Sequence, residues 1–192
     1  ELIAVSRATG PCYVPFPAEL GATRLGVDLD RAVELMRATG TPCLNAHLVP
    51  SRERFPDLAV GDVSAEARRC VAAALVADVE ALAEVAGAES VIVENVPYRG
   101  EEHGLLRAGV DPRVVTEVVA ATGCGLLLDL SHALLTAHEL GIGLWEYVDA
   151  LPTYALRELH VSGVQEVEGR LRDHLPLTPA DVEAVRGVVS RV

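Results

Sequence analysis

The sequence predicts an α/β fold: a parallel (β/α) sheet of the TIM-barrel-like kind, incomplete or truncated relative to a closed barrel. Three observations predict it. Short apolar runs alternate with helical patterns from Thr41 onward, which implies βαβ units around a parallel sheet. Each run ends in a polar group, as in Gly125-Leu126-Leu127-Leu128-Asp129, and a strand apolar at successive positions is buried on both faces. Finally, four βα units can be read in 192 residues, whereas a closed eight-unit barrel takes about 250.

The elements follow in order. Asp28 to Thr39 reads as an amphipathic helix stopped by Gly40, after an irregular, proline-rich stretch of twenty-odd residues. Pro42 to Val49 is a strand, followed by a polar loop through Asp62. Ser64 caps an alanine-rich helix to about Ala86, because its hydroxyl can accept from an unpaired amide of the first turn. Ser90 to Asn95 is a strand. Asp111-Pro112 opens a helix to about Thr122, with proline at the first helical position and Gly123 past the end. Gly125 to Asp129 is a strand, and His132 to Leu140 a helix stopped by Gly141. Leu144 to Leu151 is a short helix, Arg157 to Ser162 a strand, and Thr178-Pro179-Ala180-Asp181 caps a last helix to Arg191. The start at Glu1 and the end at Val192 within a helical pattern predict a fragment. Residues 1–192 are expected to form one partial α/β barrel domain.

Bulk properties narrow the functions. The chain has 28 acidic and 16 basic residues, a net charge of −12, and such a body repels a phosphate backbone, so no nucleic-acid partner is expected. No apolar run reaches a bilayer-spanning length and no signal-peptide pattern opens the chain, so no membrane partner is expected. Cys12, Cys43, Cys70 and Cys124 form no C-x-x-C pair, which excludes a zinc ribbon. Cys43 and Cys124 lie in apolar runs and read as buried reduced thiols, in keeping with a cytoplasmic protein. Dinucleotide, P-loop and nucleophile-elbow motifs do not occur.

The polar groups at strand ends suggest a metal site. Glu94 follows Val91-Ile92-Val93, and a carboxylate there needs a compensating positive charge, either a metal or an arginine from elsewhere. Asp129 and His132 could instead be a helix cap and a surface histidine. The company of Glu94 and of His160, at corresponding strand ends, favours a ligand role. Glu158 and His160 share one face of an alternating strand. Asp173-His174 offers another acid and imidazole pair, and His47 ends the first clear strand. His103 and His138 lie in polar or helix-surface contexts and read as ordinary.

The stretch Gly123-Cys124-Gly125-Leu126-Leu127-Leu128-Asp129-Leu130-Ser131-His132-Ala133 resembles the signature of the DUF692 proteins. These are the multinuclear non-heme iron-dependent oxidative enzymes, on a barrel related to xylose isomerase. Val93-Glu94-Asn95, Tyr147-Val148-Asp149-Ala150-Leu151-Pro152 and Glu158-Leu159-His160-Val161-Ser162-Gly163 match in the expected order. The resemblance implies two or three irons held by Glu94, Asp129, His132, His160 and His174, with Asp173 and His47 as further candidates. It also implies oxidation of a peptide or thiol-containing substrate by O₂, with a partner protein presenting the peptide. Two departures stand out. The family's acid two residues before the late histidine is replaced by Arg172, with Asp173 adjacent to the histidine instead, and its final-strand glutamate would lie beyond Val192. Two other readings use the same residues. One is a non-redox divalent-metal enzyme, a sugar isomerase or epimerase or an endonuclease IV-like hydrolase. The other is a metal-binding protein without turnover.

Overall fold

A computed structural model describes residues 13–16 and 18–191. Five strands form one parallel sheet: β1 (Ala18–Leu20), β2 (Leu44–Leu48), β3 (Val91–Glu94), β4 (Gly125–Asp129) and β5 (Leu156–His160). Their spatial order equals their chain order. Each strand therefore lies beside its predecessor, as in the wall of a barrel and unlike a doubly wound sheet, whose order reverses. The wall is open, with β1 and β5 at its edges.

Helices α1 (Leu29–Thr39), α2 (Ala65–Ala86) and α3 (Pro112–Thr122) make the first three crossovers, and α4 (Leu130–Leu140) with α5 (Leu144–Ala150) makes the fourth. Ser64 and Asp111 are the N-caps expected from the sequence, and Asp28, expected as the first helical residue, is a cap as well; each accepts a first-turn amide through the side chain. The last helix, α6 (Pro179–Val189), opens with a capping box between Thr178 and Asp181 and stops at Val189, not at the chain end.

Alternation along the strands divides the side chains between two layers. Leu44, Ala46, Val91, Val93, Leu126 and Leu128 join Val71 and Leu75 of α2 and Val115 and Val118 of α3 in the main core. The opposite face of the sheet, away from this core, carries Asn45, His47, Ile92, Glu94, Leu127 and Asp129 by the same period of two. A register shift between β4 and β5 makes Arg157 the extra residue, so that Leu156 and Leu159 both pack on the main core. Glu158 and His160 then stand opposite Leu127 and Asp129. Leu128 is fully buried, and Leu128→Ala should cost about 2–5 kcal/mol in denaturant unfolding with an unchanged m-value.

Three features depart from the sequence reading. β1 is a fifth parallel strand in the stretch expected to be irregular. The region after β5 folds as an antiparallel hairpin, β6 (Gly163–Val167) and β7 (Arg170–Leu175), where only a proline-bounded segment was expected. Its two-residue turn has positive φ at both Glu168 (54°) and Gly169 (74°), the geometry that matches the twist of paired strands. Third, α4 begins at Leu130, directly after β4 and two residues before the expected start. Of the cysteines, Cys124 is buried as expected, Cys43 is only half-buried, and Cys70 is exposed on α2. Cys12 lies outside the described residues. No helix among the described residues is long and apolar enough to cross a membrane.

Candidate metal centre

The carboxyl ends of β2 to β5 bring four of the candidate residues together. His47 pairs in register with Glu94, and Asp129 with His160. Glu94 stands opposite Leu127, so Asp129 projects two residues further along the same face. Glu94, Asp129 and His160 each offer a donor atom, and these atoms lie within 4.8 Å of one another. His47 Nε2 is 3.2 Å from Glu94 Oε2, and His160 Nδ1 is 3.9 Å from Glu94 Oε1.

Glu94 is the electrostatic problem of the fold. Its side chain is 3 % exposed, and its ion-pair partners among the described residues are all histidines, His47, His132 and His160. Burial raises its pKa above the usual carboxylate value, His132 and His160 pull it down, and the charge of Asp129 pushes it further up. The arginine that could have compensated it, Arg99, goes elsewhere. Its Nη2 donates to Asp173 Oδ1 at 2.9 Å. His47, by contrast, is held below its ordinary pKa, chiefly by burial, which keeps it neutral and fit to donate a lone pair.

Asp129 serves two ends at once. Its Oδ1 accepts the amide of His132 at 2.9 Å and so caps α4, while Oδ2 faces His132 Nε2 at 3.8 Å. The cap and the candidate ligand are thus one residue, and the choice between them posed by the sequence dissolves. His132 reaches the site because the helix starts without a loop and places position three over the strand end. Its Nδ1 lies 2.9 Å from the carbonyl oxygen of Asn95, a contact satisfied by an Nδ1–H donor, which leaves the Nε2 lone pair free. That lone pair faces Asp129 Oδ2 and Asp173 Oδ2, the latter at 3.7 Å. Three electron-rich atoms at such separations are too far apart for hydrogen bonds. His132 Nε2 thus faces both carboxylates without a hydrogen bond to either.

The hairpin supplies the last pair. Asp173 points inward, and its pKa falls below the usual value because Arg99 and hydrogen bonds from Arg99 and His174 outweigh its desolvation. His174 lies at the rim, its side chain 76 % exposed, with Nδ1 3.5 Å from Asp173 Oδ1 and its ring centroid 6.2 Å from that of His132. Its φ of 58° lies in the left-handed region, although exposure keeps alternating along β7 through this residue. His174 N donates to Ser162 Oγ at 3.0 Å, and Ser162 is bonded in turn to Ser131 of α4, so the hairpin is tied to the sheet end.

Several supporting residues were not read from the sequence. The Asn95 side chain donates to the Asp129 carbonyl and accepts its amide, both at 2.9 Å, clamping the ends of β3 and β4 together. Glu158 Oε1 lies 2.9 Å from His160 Nε2 and fixes that ring. The period-two pairing of Glu158 with His160 was the available signal for the second. Nothing local signals the reciprocal Asn95 bonds.

Comparison with known proteins agrees with the motifs. A family model described as "RiPP precursor modification enzyme MbnB/TglH/ChrH" matches residues 28–184. A UPF0276 protein of Caulobacter sp. (strain K31) is 31% identical over 96 residues, covering 48% of this chain and 32% of that protein. Another, from Chromobacterium violaceum, is 39% identical over 59 residues, covering 31% of this chain and 21% of its own. The matches thus span about a third or less of these relatives' length. A D-tagatose 3-epimerase-like protein of known structure is 15% identical, with a TM-score of 0.37 over 80% of this chain and 68% of its own, a likeness too low to carry an argument. With the family match covering most of the chain, and the same strand-end residues gathered at one place, the chain belongs to the MbnB/TglH/ChrH family, the DUF692 or multinuclear non-heme iron-dependent oxidative enzymes.

Proposed function

We propose that the protein is a metal-dependent oxidative enzyme that uses iron and O₂ to modify a cysteine-containing precursor peptide. The observation that carries this reading is the buried Glu94, with Asp129 and His160 donors within 4.8 Å and no arginine partner among the described residues. Carboxylate and imidazole donors suit iron and other borderline divalent ions. One set, Glu94, Asp129 and His160, is grouped within 4.8 Å; His132 faces Asp129 and Asp173 beside it, and His47 and His174 flank them. We read these seven as the ligand candidates for two or three ions. Bound iron would supply redox chemistry that no side chain provides, with electrons leaving the substrate to reduce O₂.

The chain's own residues do the rest. Glu94 and Asp129, themselves buried, would supply the negative charge that holds the cations. Asn95 and Glu158 fix the rings of His132 and His160, so that donor directions are set before a metal arrives. A peptide-presenting partner and a cytoplasmic setting, where precursor peptides are made, complete the proposal.

Anaerobic loading with iron(II), followed by a cysteine-containing peptide encoded beside this protein, should perturb the optical spectrum. Admission of O₂ should then change the peptide's mass. Glu117→Gln on the exposed face of α3 should leave both responses intact. A loaded sample that leaves the peptide unmodified overturns the oxidative reading, and one that instead interconverts a ketose with its epimer moves the assignment to an isomerase.

A further inference from the structure

Arg172 replaces the carboxylate that the family resemblance leads one to expect, and the structure gives it another place. The β6–β7 hairpin lies over α4, and between them and the loop after β3 runs a groove of about 340 Å³. His132 opens one face of α4, and Leu135 and Glu139, one and two turns on, continue along it into the groove. Arg99 joins the groove to the centre, since it both lines the one and holds Asp173 of the other at 2.9 Å. Arg170 and Arg172 stand on the hairpin wall, and His103 and His138, ordinary by their sequence context, are also in the lining.

This groove lacks the negative excess of the molecule as a whole. Three guanidiniums and two imidazoles face two carboxylates, Glu102 and Glu139, in a chain whose net charge is −12. Arg99 is already engaged with Asp173, whereas Arg170 and Arg172 are exposed. An acidic ligand would be repelled by most of the surface and drawn to this strip.

We propose that the groove binds a carboxylate-bearing segment of the peptide substrate, received by Arg170 and Arg172, next to the residue presented to the metal centre. This rests on the peptide-modifying reading above and names the class of peptide. Guanidinium forks suit the purpose because they bind carboxylates through paired, charge-assisted hydrogen bonds.

The test is fluorescence anisotropy with two labelled hexapeptides, Ala-Asp-Glu-Asp-Gly-Cys and its amide counterpart Ala-Asn-Gln-Asn-Gly-Cys, on the full chain. The acidic peptide should bind about tenfold more tightly, and the preference should shrink as salt rises. Joint Arg170→Glu and Arg172→Glu substitution should remove it, and the milder Arg170→Gln and Arg172→Gln pair should reduce it. Metal content and melting temperature, measured on both pairs, should match the parent and so report an intact fold and centre. Equal binding of the two peptides by the parent, or an undiminished preference in folded variants, overturns the proposal. Because binding is read without turnover, an acidic preference that survives when no peptide is oxidised sinks the oxidative reading and leaves the groove assignment standing. Oxidation of peptides without any such preference does the reverse.

Discussion

Glu94→Gln should weaken metal binding by more than about 100-fold, since loss of even an outer-shell partner typically costs 10–100-fold and Glu94 is placed as a ligand itself. The same substitution should stabilise the metal-free protein, by on the order of 1 kcal/mol, because a neutral isostere removes a desolvated charge that Asp129 repels. Opposite signs in the presence and absence of metal are a signature that a merely structural glutamate cannot give. The pH dependence follows the same logic. The folded-state pKa of Glu94 is raised above its ordinary 4.5, so as pH rises past that value the unfolded chain releases its proton first. The stability contributed by the protonated folded form is present below 4.5 and is lost as pH rises through the raised value. Asp173 and Asp111 act in the other direction: their lowered pKa values contribute stability above 3.8 that is lost as pH falls. His47, held below its ordinary 6.5, contributes stability that is lost as pH falls, so the net slope is mixed. In chelator, the melting temperature of the parent relative to Glu94→Gln should fall as pH rises from mildly acidic to neutral. A chelated Glu94→Gln variant less stable than the parent at neutral pH would mean that the surrounding histidines already neutralise this carboxylate.

How much of this was readable in the residues depends on how local each signal is. β3 and β4 could be read with their terminal acids because burial on both faces leaves an uninterrupted apolar run, and a carboxylate ending such a run is conspicuous. The caps at Ser64 and Asp111 depend on side chains next to the amides they satisfy. β1 carries no local signal: three residues after Pro15 and Pro17 show no period, and the strand exists through its pairing with β2. The hairpin goes unsignalled because its turn has Glu168, a residue that seldom adopts positive φ, where asparagine, aspartate or glycine would have marked it. That omission hid the site's last wall. Asp173 meets Arg99 across 74 positions in sequence, a contact that only the returning hairpin creates. The rule that neighbouring strand residues face opposite ways does hold for Asp173 and His174, one directed in and one at the rim, although the positive φ of His174 lets its imidazole bend back to the acid.

Removing metal should lower the melting temperature by about 8–16 °C relative to protein holding metal at about 1,000 times its dissociation constant. At that saturation, binding stabilises the folded form by about 4.1 kcal/mol. Each kcal/mol shifts the midpoint by about 2–4 °C in a chain of this size. The effect should be larger for iron(II), manganese or zinc than for magnesium or calcium, because imidazole donors favour the former. His132→Ala isolates the cause. It deletes the Nε2 lone pair that faces Asp129 and Asp173, together with the 2.9 Å bond to the Asn95 carbonyl. The metal-free variant should melt below the metal-free parent, through the lost bond and the cavity left by a buried ring, while the response to added metal largely disappears. His160→Ala should lose the response as well, and with less cost to the metal-free form, since this ring is 40 % exposed and, among the described residues, hydrogen-bonds to Glu158 alone. Scanning calorimetry on parent and variants, with and without chelator, separates these outcomes. Superimposable curves for the parent would show that the strand-end carboxylates are satisfied by their histidines alone. The cluster would then be a buried hydrogen-bonded network at the mouth of the sheet, and the protein a scaffold.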